Sequence, residues 1–350
     1  MTADAMKLDI FTHIFPPAYF GKLDQIVKDK AALKRWFSLP TLHDIDARLR
    51  MIERHPGYAQ VITLSMPPVE SLAGPEVTPD LARVANDGLA ELSAAHPGHF
   101  PAWVAALPLN NVEASLAEIE RAFAMGAAGV QMFTHVNGVP LDHPDFAPIF
   151  DAVAGRHGKP IWLHPARPPK FSHYASEDKS KYEIWWTFGW PYETSAAMAR
   201  IVFSGMFDRL PDLSVITHHC GAMVPFFEGR VGYGWDELGS RTADEDYGAL
   251  LKKLARRPVD YFRQFYADTA VLGSRAAIQC GLSFFGARRV MFGTDCPFDK
   301  EQGELVIRET IAAIDSLDIS EADRARMYYQ NAAELLKRPV ESMQQRAGSA

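Results

Sequence analysis

The sequence predicts a single-domain (β/α)8 barrel of the TIM type over residues 1–350, and three observations carry that expectation. Apolar, strand-like runs alternate with helical stretches along the whole chain, giving eight strand candidates. The runs are continuously apolar, as parallel strands buried on both faces are. Four of them end on histidine or aspartate, and the C-terminal ends of the strands are where such a barrel builds its site. An open doubly wound sheet is the main rival, but no glycine-rich phosphate loop follows any strand.

The first run, LDIFTHIFP, closes near His13. Residues 17–58 are loop and helix, with apolar residues at helical spacing over 42–55. AQVITLSMPP (59–68) is the second strand, stopped by two prolines. A helix over 78–96 takes Thr78 as its N-cap ahead of Pro79. FPAWVAALPL (100–109) is the third strand, followed by a helix over 111–126 that ends on glycine. AAGVQMFTH (127–135) is the fourth, followed by a helix over 143–158. KPIWLHP (159–165) is the fifth and closes on His164. A long aromatic-rich insertion, 166–191, comes directly after it, and a loop of that length at a strand end is usually an active-site wall or lid. A helix over 192–211 leads to the sixth strand, LSVITHHCG (213–221). Helical stretches over 223–238 and 244–262 precede FYADTAV (265–271), the seventh, and RVMFGTDC is the eighth. A last barrel helix spans 302–317, and a helical tail over 319–336 is capped by Ser320.

Composition narrows the function classes. Apolar residues make up 47% of the chain, enough for a large core, and the net charge of −7 comes without a long basic run. Nucleic-acid and membrane-surface binding therefore have no support. No apolar run reaches membrane-spanning length. Cys220, Cys280 and Cys296 cannot all pair and show no CxxC spacing, which fits a reduced, cytoplasmic protein. The N-terminal MTADAMKLD lacks the pattern of a secretory leader.

The chemistry concentrates in RVMFGTDCPF, residues 289–298. An apolar run does not normally end on a carboxylate unless that carboxylate binds something, which singles out Asp295. His13, His164 and Asp295 make a two-histidine, one-carboxylate set, and three protein ligands with an open position are the catalytic arrangement for zinc. His219 stands beside them as a general acid or base. Side chains alternate along a strand, so only one of His218 and His219 is expected to face the barrel. Any one of these histidines taken alone reads as a satisfied core or loop residue; four coincident strand ends do not.

Together DIFTHIFP, WLHP, WPYETSAAMARIVFSG, ITHHCGAMVPFFEGRV, GTDCPF and the tail NAAELL resemble the amidohydrolase superfamily. The resemblance is to its amidohydrolase-2 branch, which includes aminocarboxymuconate-semialdehyde decarboxylase and related aromatic-acid decarboxylases. It implies a metal-dependent, non-oxidative decarboxylase of a small aromatic, heteroaromatic or dienoic carboxylic acid. Zn2+ is the first expectation for the metal and Mn2+ the second, and a homodimer is implied. His13 matches the second histidine of the branch's His-x-His pair, His164 the strand-five ligand and Asp295 the strand-eight ligand. Aligning HCGAMVP makes His219, not His218, the catalytic histidine, with Asp295 or an acid paired to His219 as proton donor. Phe11 stands where the branch has a first ligand, so Phe11 is expected at the edge of the metal or substrate. Arg167 is a candidate carboxylate clamp. Trp185, Trp186, Phe188 and Trp190 are candidates for an apolar wall over a flat substrate, or for plain packing of the insertion against the barrel rim. Two competing functions are a hydrolase or hydratase that uses the same metal to activate water, and a metal-free, non-catalytic barrel.

Overall fold

The computed structural model describes residues 6–338. The terminal residues 1–5 and 339–350, on which the leader and single-domain expectations also bear, lie outside the described residues. The chain folds as a (β/α)8 TIM barrel. Its strands are Lys7–Ile14, Tyr58–Leu64, a third in two pieces (Ala102–Trp103 and Ala105–Ala106), Val130–Phe133, Ile161–His164, Val215–Thr217 and Tyr266–Ala267. All pair in parallel with their neighbours. The eighth position is nearly unassigned as strand. It holds only a single bridge, Val290 to Ala267, yet it closes the ring. Ile10 N–H donates to Phe292 O at 2.9 Å, and His13 N–H to Cys296 O at 2.9 Å.

The barrel interior is filled by Leu8, Ile10, Val61, Val104, Trp162, Ile216 and Met291. The Trp162 indole N–H donates to Ile10 O at 2.8 Å, so the largest interior side chain leaves no donor unmet. An outer apolar layer packs the strands against the helices. Among these are Thr78–Ala95, Val112–Ala124, Gly189–Phe203 and Glu304–Asp315. The helix Arg275–Phe285, capped by Ser274, joins strands seven and eight. Sequence reading passed over it, although its apolar residues recur at helical spacing. Thr78 is not a cap: it is the first helical residue, behind Val77, and its hydroxyl donates to Asn110 Oδ1 at 2.7 Å. Ser320 caps as expected, accepting from Asp323 N–H. Residues 165–183 form neither helix nor strand, ahead of the short helix Ile184–Thr187. No helix among the described residues is long and apolar enough to cross a membrane.

Two local irregularities aim side chains at the C-terminal mouth. The register of strand one shifts between Asp9 and Thr12, a bulge that changes which residues face inward. Leu8 and Ile10 point into the barrel before it, Phe11 and His13 after it. The second irregularity lies after strand six, where His219 and Cys220 have φ of 58° and 57°.

Candidate metal centre

His13, His164, His218 and Asp295 come together at the barrel mouth, with one potential ligand atom from each lying within 4.8 Å of all the others. Asp295 Oδ1 is 3.2 Å from His13 Nε2 and 3.3 Å from His218 Nε2. Adjacent ligands on one zinc ion, each bonded at about 2.0–2.2 Å, stand roughly 3.3–3.6 Å apart, so this spacing fits a shared cation.

The outer nitrogen of each of these three imidazoles is held. His13 Nδ1 lies 3.0 Å from Thr63 Oγ, whose own hydroxyl donates to Thr12 O. His164 Nδ1–H donates to Pro165 O at 2.7 Å. His218 Nδ1 is bonded to Asp268, which is fully buried and also accepts from Cys220 N–H and Ala270 N–H. Holding Nδ1 fixes the tautomer and turns the Nε2 lone pair inward. His13 Nε2 and His218 Nε2 are indeed buried without a hydrogen-bond partner. Gly293 makes the Asp268 approach feasible, since a Cβ there would stand 2.7 Å from Asp268 Cβ.

Burial works against a charged His218, but Asp268 and Asp295 outweigh it and lift the imidazole to about 10. Burial also opposes ionisation of Asp295, and His218, His13 and His219 nevertheless hold it well below the usual carboxylate range. His13, His164 and His219 are pushed below the ordinary imidazole value, first of all by burial. A bound cation would take the place of the His218 proton; with the imidazoles then neutral, the Asp268 and Asp295 carboxylates balance a divalent charge. The donor set thus fits a metal.

The expectation that only one of His218 and His219 faces the site is corrected. Both do, with ring centroids 3.9 Å apart, because the left-handed backbone at His219 breaks strand alternation. They differ in their settings. His218 is fully buried and its Nδ1 is held; His219 Nε2 lies 3.6 Å from Asp295 Oδ2, and its Nδ1 has no partner. Phe11 borders the cluster, with its ring centroid 4.1 Å from that of His218 and 5.5 Å from that of His13.

The other sequence candidates scatter. Arg167 is engaged by Glu193 at 2.5 Å and lies over the Phe171 ring. Phe188 is 70% exposed and Trp186 37%, so neither is packed as a wall in this state. Trp190 takes that place, with its ring 5.6 Å from His164 and stacked at 6.3 Å on His219. Sequence reading missed Asp268 and Thr63 as supporting residues. The signal for Asp268 was the one that found Asp295, a carboxylate inside an apolar run.

Residues 23–338 match the family model described as amidohydrolase. The chain belongs to the amidohydrolase family. It is 28% identical to 2-amino-3-carboxymuconate-6-semialdehyde decarboxylase of Dictyostelium discoideum, across 95% of this chain and 92% of that protein. It is 32% identical to gamma-resorcylate decarboxylase of Rhodococcus jostii, across 83% and 87%. Among solved structures it resembles a dihydroxybenzoic acid decarboxylase from Polaromonas with bound manganese and the inhibitor 2-nitroresorcinol. The TM-score there is 0.75, with 27% identity and coverage of 95% and 97% of the two chains. This amidohydrolase-family chain is a metal-dependent carboxy-lyase.

Proposed function

We propose that His13, His164, His218 and Asp295 hold one divalent metal, and that His219 moves the proton in the non-oxidative decarboxylation of a small hydroxylated aromatic acid. The observation that carries this reading is the convergence of three imidazoles, each held at its outer nitrogen, on the Asp295 carboxylate. When bound, a divalent metal supplies a positive centre that orients an oxygen of the substrate and stabilises developing charge. Zinc is the expected ion and manganese the alternative.

The chain's own residues supply the rest. Trp190 and Phe11 offer flat apolar surfaces to a ring. His219 is neutral while the site is empty of substrate, and an incoming carboxylate favours its charged form. Its Nδ1, buried and unpartnered, or its Nε2, beside Asp295, then carries a proton to the carboxyl-bearing carbon. That step forms the new C–H bond. The C–CO2 bond then breaks, its electron pair returns to the ring, and CO2 leaves. Arg167 reaches a substrate carboxylate only by giving up part of its pairing with Glu193. A homodimer and a cytoplasmic setting go with this reading.

The test is CO2 release by the zinc- and manganese-loaded protein from a panel of hydroxylated benzoates, with and without a chelator. Chelator-sensitive CO2 release from a member of the panel is expected. Ring opening or water addition without CO2 would contradict it.

A further inference from the structure

A second polar feature sits inside the barrel mouth, on the side of strands two, three and four. It is a cavity of about 10 Å³ lined by Ser65, Glu70, Ala106, Leu107, Gln131 and Phe133, among others. That is space for one water-sized group. Its wall is shared with the metal cluster, because the Phe133 ring packs edge-on against His164 at 5.3 Å.

The lining is unusual in what it leaves unmet. Ser65, Glu70 and Gln131 are 0%, 2% and 3% exposed. Ser65 Oγ, Glu70 Oε1 and Gln131 Oε1 have no hydrogen-bond partner. Buried polar atoms are nearly always paired, so three around one cavity point to a missing partner. Their orientations are fixed from behind. Gln131 Nε2 donates to Leu64 O at 2.9 Å, which leaves its Oε1 as the acceptor toward the cavity. Asn137 Nδ2 donates to Glu70 O at 2.8 Å and pins the short turn that carries the carboxyl.

We propose that Ser65, Glu70 and Gln131 form a hydroxyl-binding subsite beside the metal centre, which takes an O–H substituent of the substrate ring. The Gln131 oxygen requires a donor, and the Ser65 hydroxyl can give or take a proton. Burial pushes the Glu70 carboxyl up to about 8, so at neutral pH it too can both donate and accept. A hydroxyl, which donates one hydrogen bond and accepts others, matches this set. A second carboxylate or a phosphate does not, since it brings no proton for Gln131. Ala106, Leu107 and Phe133 make the apolar part of the wall around that hydroxyl. The subsite rests on the decarboxylase reading, because that reading puts an aromatic acid at the adjacent cluster. A water molecule has the same hydrogen-bonding chemistry, and the test separates the two sources.

The test is calorimetric binding of benzoate, 2-hydroxybenzoate, 3-hydroxybenzoate and 2,6-dihydroxybenzoate to the metal-loaded full chain, in wild type, Ser65→Ala and Glu70→Leu. In wild type at least one hydroxylated acid binds roughly tenfold tighter than benzoate, the scale of one or two good hydrogen bonds. In each variant that advantage shrinks to about threefold or less, with benzoate affinity and metal content retained. Ser65→Ala is the smaller change and serves where Glu70→Leu does not fold. An advantage that persists in the variants means that the cavity holds only a water, and overturns the proposal. Benzoate binding with no gain from any hydroxyl overturns the subsite and leaves the decarboxylase reading standing. Failure of every one of these acids to bind overturns both.

Discussion

His218 and His219 show how far residue-level reading reaches. Both are neighbours of Asp295, but only His218 has a carboxylate, Asp268, behind it. His218→Ala is therefore expected to lose its metal to a chelator that leaves wild type loaded. His219→Ala is expected to keep the metal and lose about 10²–10⁴-fold in kcat, the range for removing a general acid or base. Metal content and rate, measured on both variants, check the pair; the reverse pattern exchanges the two roles. Phe11 is the third residue at this scale, in contact with His218. Phe11→His should restore chelator resistance to the His218→Ala protein, because an imidazole then enters the space between strands one and six. Competition against a graded chelator reads this directly, and no recovery would mean that position 11 does not reach the cation. His13, His164 and Asp295 were legible in the sequence because each ends an apolar run. The joint presence of His218 and His219 was not, since it depends on a left-handed backbone that no local pattern marks.

At the scale of elements, the barrel closes through a buried carboxylate. Asp9 accepts from Thr294 N–H, Thr294 Oγ–H and Tyr58 O–H, tying strand one and strand two to the turn that presents Asp295. Burial, only partly offset by these bonds, raises the Asp9 carboxyl to about 7. Asp9→Ala leaves those donors without an acceptor at a cost on the order of 3 kcal/mol. The melting temperature should drop by several degrees and metal retention should weaken, because Thr294 loses the bonds that fix it. An unchanged melting curve would show that water replaces the carboxylate. All eight strands were legible as apolar runs, and seven of them form paired strands in the expected order. The eighth is held by a single bridge and by hydrogen bonds to strand one, so its apolar sequence records burial more than sheet pairing. The helix Arg275–Phe285 fills the stretch between the seventh and eighth runs, which the sequence reading left unassigned.

At the scale of the whole molecule, the alternation of strand and helix specified the barrel, and the barrel specified which end carries the site. What sequence could not reach is the set of side chains that meet only across strands, Thr63 with His13 and Asp268 with His218. The same holds for the cavity bearing Glu70. That carboxyl also makes stability depend on pH. Its folded value of about 8 lies above the ordinary 4.5. The folded chain therefore keeps a proton that the unfolded chain gives up, and the resulting stability is full below about pH 4.5 and lost as pH rises toward 8. Glu70→Gln should flatten that decline between pH 5 and 8, by up to a few kcal/mol in denaturant melts. An identical slope in the two proteins would show that Glu70 ionises freely in the fold.

The central claim is a single divalent metal held by His13, His164, His218 and Asp295, and elemental analysis of the purified chain tests it most directly. About one zinc or manganese per chain is expected, falling sharply in His218→Ala. A chain that carries no metal, and whose CO2 release is untouched by chelator, would contradict it.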